Sequence, residues 1–223
     1  MGKINGLEDI SQVPPKVRQM YGAVIEMLEE GMDASGMRVS AITERAGIGK
    51  GTAYEYFDSK EELVACAVVS QIKWSFDWLK STLEEKASFQ EQFSFVMEVI
   101  RQKDMRLNCF LRFVHMMTDN SEFSRMVREK LNSESFAAYQ PVNIFGKILR
   151  RGVERGELRG DIPMEYMVFS VFAHLLTYVF AAVTDECFSP NLERIKMLAS
   201  QGILNELGST AGTADCRPGL SQF

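Results

Sequence analysis

The stretch from Arg38 to Leu63, RVSAITERAGIGKGTAYEYFDSKEEL, constrains this chain more than any other segment. Val39, Ile42 and Ala46 recur at i, i+3 and i+7, one apolar stripe over two helical turns. Gly47 follows at once, where a left-handed residue closes a helix at little cost. Ile48 restarts an apolar pattern that passes through Ala53, Tyr56 and Phe57. Ser59-Lys60-Glu61-Glu62 reads as a capping box, the serine capping and Glu62 reaching back from the third helical position. Helices this short do not persist alone. The spacing predicts a tight helix-turn-helix whose second helix keeps one face free for a DNA major groove.

The rest of the chain reads as helical too, and strand-type alternation is absent. Ser11 to Pro15 opens a first helix, with Val17, Met20, Tyr21, Val24 and Leu28 as its stripe and an end near Gly31. The helix capped by Ser59 runs on through Val64, Val68, Ile72, Leu79 and Leu83. Phe89–Gln102 and Met105–Met117 follow, then Ser121–Arg155, which Pro141 should kink or split. Pro163–Val183 and Asn191–Leu207 complete the set. The fold class is therefore all-α. It comprises a helix-turn-helix domain over 14–60, a second helical domain over 61–208, to which the family resemblance described below assigns ligand binding and dimerisation, and a disordered tail over 209–223.

Charge bears on the partner. The net charge is −5, and the first 60 residues hold seven Lys/Arg against nine Asp/Glu, so this is no protein that coats nucleic acid non-specifically. Placement matters more than the sum. Arg38, Lys50 and Lys60 fall at helix N-termini inside the motif, while Glu26, Glu29, Glu30 and Asp33 sit at the far end of the first helix. Cys66, Cys109, Cys187 and Cys216 are too far apart for a C-x-x-C site, and neither His115 nor His174 lies in an H-E-x-x-H context. No metal or cofactor is expected. Without a secretory leader, the expected compartment is the cytoplasm. No nucleophile–base pair or phosphate-binding glycine loop suggests an enzyme.

The motif also carries a family resemblance. Ala46-Gly47-Ile48, Lys50-Gly51-Thr52, Tyr54, Tyr56-Phe57 and Ser59-Lys60-Glu61 with Leu63 resemble the N-terminal signature of the tetracycline-repressor (TetR) family. The resemblance implies a homodimeric transcriptional regulator, expected to repress, that binds a palindromic operator in double-stranded DNA. A small apolar or amphipathic effector would release it. There are departures. Arg38 stands where the family opens its first motif helix with threonine or serine, and Thr43 where it has alanine. Gly49 replaces a serine cap, and Ala53 a larger aliphatic residue.

Arg38, Ser40, Lys50, Gly51, Thr52, Tyr54, Glu55 and Lys60 are the candidate DNA-binding residues. Lys50, Gly51 and Thr52 stand in a first helical turn, where backbone N–H groups and the helix dipole favour phosphate. Tyr54 should point away from the core that takes Tyr56 and Phe57. Glu55 either accepts from a cytosine N4 or orients Arg38 or Lys50.

The 13 Met and 15 Phe concentrate in the second domain. Such stripes are more often core than cavity, yet the resemblance implies an effector site among the middle helices. Its expected lining is Phe93, Met97, Phe110, Phe113, Met117, Phe136, Tyr139 and Phe145, bordered by the Pro141 kink.

Tyr166–Val183 has no charged residue over 18 positions and meets the length of a membrane span. Ser170, His174 and Thr177 place polar atoms on one face, so a helix buried on all sides of a soluble bundle fits better, with no membrane partner. The resemblance puts the dimer interface on the last two helices. The expected seam there is Ser170, His174, Thr177 and Ala181 with Ile195, Ala199 and Gly202. The rival reading is a helical interaction protein that does not bind DNA and uses the motif only for packing.

Overall fold

The computed structural model describes residues 4, 6, 8, 12–101, 119–183 and 191–209. The expected Met105–Met117 helix lies outside them, as do all but the first residue of the expected tail. So do Phe110, Phe113, His115, Met117, Cys109, Cys187 and Cys216.

Among the described residues the chain is helical, with one isolated antiparallel bridge between Leu158 and Gly208. The helices are α1 Pro15–Glu29, α2 Val39–Arg45, α3 Lys50–Tyr56, α4 Lys60–Glu84 and α5 Phe89–Arg101. They continue as α6 Glu122–Leu131, α7 Pro141–Glu154, α8 Met164–Val183 and α9 Leu192–Leu207. Contacts gather them into two units. One takes Met1–Ser81 with Lys103–Gln140, the other Thr82–Gln102 with Pro141–Phe223. The division between units falls within α4, between residues 81 and 82, and each unit draws on two separate stretches of chain.

In the first unit, α1 begins with proline in its first turn and turns Val17, Met20, Tyr21, Val24 and Met27 inward. Gly31 follows its end at φ +87°. α2 and α3 have only seven residues each, and their stability comes from what they bury. Val39 and Ile42 of α2, Ala53 and Tyr56 of α3, and the following Phe57 share one core with α1 and the start of α4. The Phe57 and Tyr21 rings are 6.1 Å apart. Burying side chains such as Ile42 and Phe57 stabilises the unit by about 1.5–3 kcal/mol each.

The Ser59 box forms with one shift. Ser59 Oγ accepts from the Glu62 N–H at 3.1 Å, but the Glu62 carboxylate accepts from the Asp58 N–H, at 2.7 Å, instead of that of Ser59.

Ser121–Arg155 is interrupted twice. α6 ends at Leu131, a 3-10 segment runs Glu134–Tyr139, and α7 starts afresh at Pro141. The proline therefore opens a helix, in the first turn where its missing N–H costs nothing.

The second unit packs α8 against α7 and α9, with α5 alongside. The turn after α7 uses Gly156 at φ +73° and ties to the end of α9. There the Arg159 N–H donates to the Leu207 carbonyl at 2.8 Å and the Ser209 N–H to that of Glu157 at 2.9 Å. α8 is long and apolar enough to cross a membrane by length and composition. It is not buried all round, contrary to the expectation from its sequence. Met167, Val171, Leu175 and Tyr178 are covered, but Phe169 is 70 % exposed and Phe180 62 %.

Candidate DNA-binding face

The two motif helices meet at Gly47, whose φ of +67° lets the chain reverse within three residues. The Ile48 N–H donates to the Thr43 carbonyl at 2.9 Å and closes the turn. Thr43, buried where the family has alanine, satisfies its hydroxyl on its own helix. Its Oγ donates to the Val39 carbonyl at 2.9 Å and lies 3.2 Å from that of Ser40.

One side of this pair is left open. Arg38 is the extended cap residue of α2, and Arg38 and Ser40 are exposed. Gly49 caps α3 with no side-chain bond. Lys50, Gly51, Tyr54 and Glu55 face outward, and Thr52 is half-buried. Tyr54 is 55 % exposed, while Tyr56 and Phe57 are buried, so the expected division of these aromatics between surface and core is the one the fold adopts. No hydrogen bond or ion pair joins Glu55 to Arg38 or Lys50 among the described residues.

Neither Gly49 nor Gly51 is demanded by the protein's own packing. A Cβ at either would meet nothing within 4 Å, and neither backbone is left-handed. Gly51, inside α3, costs the helix about 0.5–1 kcal/mol relative to alanine, and the surrounding fold offers no return for it.

Two cations of the region are already engaged. Arg45 reaches back to Glu30 at the end of α1, at 2.8 Å, and its guanidinium holds the Glu30 carboxyl below the usual range. Lys60 donates to the Ser35 carbonyl at 2.9 Å and lies 3.2 Å from Glu61, half-buried. It thus ties the start of α4 to the turn before α2, a role its place in the motif did not indicate.

A strap near the N-terminus was also not apparent from the sequence. Ile4 is buried in the motif core, and its N–H points to the Tyr56 carbonyl at the end of α3, 3.5 Å away. Gly6, at φ +83°, lies so close to α4 that a Cβ would sit 2.7 Å from the Cys66 backbone. The buried Cys66 Sγ is 3.7 Å from the Ile4 carbonyl, and burial pushes the thiol up to about 11. One isoleucine and one glycine in an otherwise unpatterned stretch leave little trace for sequence reasoning to find.

The expected effector lining is divided between the units. Phe93, Met97 and Phe145 belong to the second, where all three are buried. The void that Phe93 and Phe145 border with Val96, Ile148 and Leu175 measures only about 10 Å³. Phe136 and Tyr139 belong to the first. Their rings are 5.3 Å apart, and the Tyr139 hydroxyl donates to Asp77 at 3.2 Å beneath the Lys73 ammonium. Phe110, Phe113 and Met117 lie outside the described residues.

Much of the expected dimer seam is also in use within the chain. Ser170 donates to Glu206 at 2.6 Å, and the His174 ring fills the space above Gly202, where a Cβ would be 2.9 Å from Nε2. Ser170, His174 and Gly202 thus take part in the packing of α8 on α9 within one chain, and Ala181 and Ala199 are buried. Ile195 is half-buried. Only Thr177 of the α8 seam is exposed, its hydroxyl donating to the Ala173 carbonyl. The face left open carries Tyr166, Phe169, Leu176 and Phe180 of α8 with Met197 and Leu198 of α9.

A bihelical motif clamped on α1 and α4, with an open, phosphate-ready edge, is that of a helix-turn-helix DNA-binding transcription regulator. Residues 22–66 match the family described as bacterial regulatory proteins, tetR family. The chain is similar to the fatty acid metabolism regulator protein of Bacillus subtilis (strain 168), 26 % identical over 175 residues, 75 % of this chain and 85 % of that one. Among solved structures, the fatty acid degradation regulator FadR of Bacillus halodurans aligns over 92 % of this chain and 100 % of its own, at 20 % identity and a TM-score of 0.63. FadR of Bacillus subtilis, solved with stearoyl-CoA, aligns over 83 % and 96 %, at 20 % identity and a TM-score of 0.60. SmeT, solved with triclosan, aligns over 94 % and 99 %, at 19 % identity and a TM-score of 0.64.

Proposed function

We propose that the protein is a homodimeric repressor of fatty-acid metabolism that binds a palindromic operator and leaves it on binding a long-chain fatty acyl thioester. The observation that carries the DNA-binding part is the open edge of α3, where Lys50, Gly51 and Tyr54 surround the first turn of a helix whose N–H groups are unclaimed by a side-chain cap. Lys50, Lys60 and Tyr54 contact backbone phosphates, the glycines at 49 and 51 let the backbone approach them, and Arg38, Ser40, Thr52 and Glu55 flank the groove. The open apolar stripe of α8 and α9 supports a second copy as its cover, since exposed phenylalanines at this density are unfavourable in water. The effector class is supported by similarity to the B. subtilis regulator and by the stearoyl-CoA that its FadR holds.

Release follows from population shift. The effector favours a conformer whose two recognition helices no longer match major grooves about 34–36 Å apart. A chain of acyl length cannot enter the 10 Å³ void beside Phe93 and Phe145 without opening it. The test is a duplex bearing the protein's own selected operator, titrated with stearoyl-CoA and, separately, with free CoA. Stearoyl-CoA should dissociate the complex at micromolar concentration while free CoA leaves it intact. A complex indifferent to both would overturn the effector class.

A further inference from the structure

Glu55 is the one acid in α3, and the fold sets it at the middle of that helix's outward face. At about 100° per residue, Gly51 and Glu55 lie about 160° and 200° round the helix from the buried Ala53. Both are therefore opposite the side that Ala53 and Tyr56 turn into the core. Lys50 and Tyr54 stand on one flank, at about 60° and 100°, and the half-buried Thr52 stands on the other. Gly51 has no side chain, so Glu55 is the only side chain on the line that faces straight away from the core.

The protein itself gives no reason for a carboxylate there. Glu55 is exposed, and among the described residues no hydrogen bond or ion pair engages it. Its neighbours one turn away, Gly51, Thr52, Asp58 and Ser59, include no cation, and Asp58 adds a like charge. Lys50, five residues earlier, lies about 140° away round the helix and so on a different face. A negative charge in the last turn also opposes the helix dipole. On a face that meets a polyanion, an acid repels phosphate and gains only where it reaches a donor on a base edge. In the major groove the amino donors are cytosine N4 and adenine N6. Adenine sets its N7 acceptor beside N6, which repels a carboxylate, while cytosine sets no acceptor beside N4.

We propose that Glu55 reads a base, accepting a hydrogen bond from the N4 amino group of one cytosine in each operator half-site. This rests on the DNA-binding reading above and adds one letter of the operator to it. Lys50 and Tyr54 hold the helix on phosphates at its flank, where they carry no sequence information. Glu55 supplies discrimination, weakening binding wherever no amino group faces it.

The test selects bound sequences from random duplex DNA in parallel with wild type, Glu55→Ala and Glu55→Gln, with circular dichroism to check that each stays helical. Wild type should enrich a palindrome with one cytosine per half-site that Glu55→Ala no longer selects, the other positions being retained. When that C·G pair is replaced by T·A in both half-sites, wild type should lose about fivefold or more in affinity, and Glu55→Ala should not distinguish the two duplexes. Glu55→Gln, whose amide both donates and accepts, should move the preference at that position to adenine. A palindrome that Glu55→Ala selects unchanged, with affinity raised evenly for all sequences, would overturn the role of Glu55 and leave the DNA-binding reading intact. A wild type that enriches no sequence would overturn both.

Discussion

At the scale of single residues, the open edge of α3 makes glycine at position 51 informative. Gly51→Ala introduces no clash, since its Cβ meets nothing in the protein, and should raise stability by about 0.5–1 kcal/mol through helix propensity. The same methyl stands where a phosphate would approach, so DNA affinity should fall as thermal stability rises. Gains in both would show that no backbone of DNA comes near α3's first turn. Lys50→Ala should weaken all sequences evenly and lower the magnitude of the log–log salt slope by about one. Unchanged salt dependence with altered base preference would assign Lys50 to base reading instead. Gly6 presents the opposite case to Gly51. Its positive φ and its 2.7 Å approach to the Cys66 backbone both forbid a side chain. Gly6→Ala should cost about 1–3 kcal/mol in denaturant unfolding, and a neutral result would mean that the strap is not held against α4.

At the scale of elements, α8 and α9 are joined by Glu206. The hydroxyls of Ser170 and Tyr166 donate to its carboxylate and hold its pKa below the ordinary 4.5, with His174 adding to the effect. Because the folded value is depressed, this contribution is present above about pH 4.5 and lost as pH falls through the folded pKa. Glu206→Gln should therefore lower the melting midpoint at pH 7, with the difference closing below pH 4.5. A gap that stayed constant down to pH 3.5 would show that the carboxylate is not stabilised there. These two helices also show which parts of the fold were legible in the sequence. Gly47, Ser59 and the Val39–Ile42 stripe announce their elements because caps and periodicity are local signals, and the helix-turn-helix follows from them directly. Ser170, His174 and Gly202 do not decide their neighbour in sequence, because small and polar residues permit close approach to any surface, whether α9 of the same chain or a second copy. Periodicity identifies a face without naming what it meets. The break after Leu131 escaped for a related reason, since Asn132 and Ser133 are tolerated in helices and stop one only when tertiary packing does not continue it. The strap at Ile4 and Gly6 and the tie from Lys60 to Ser35 depend on contacts distant in sequence, which no local pattern encodes.

At the scale of the molecule, the exposed stripe of α8 and α9 carries the account of assembly. A residue near a two-fold axis meets its own copy or a close neighbour of it, so charges introduced there repel in pairs. Phe169→Glu with Phe180→Glu should leave the helical content unchanged, yield monomer in sedimentation at low micromolar concentration, and abolish operator binding although α2 and α3 are intact. A doubly charged variant that remained dimeric would place the interface elsewhere. The central claim is that two copies of this motif read DNA together, and selection of bound sequences from random duplex DNA by the wild-type protein tests it most directly. The account predicts enrichment of a palindrome whose half-sites are centred about one helical turn, or a multiple of it, apart, with binding that weakens steeply as salt rises. No enrichment, and no salt-dependent binding to duplex DNA at all, would contradict it and leave the helix-turn-helix as packing alone.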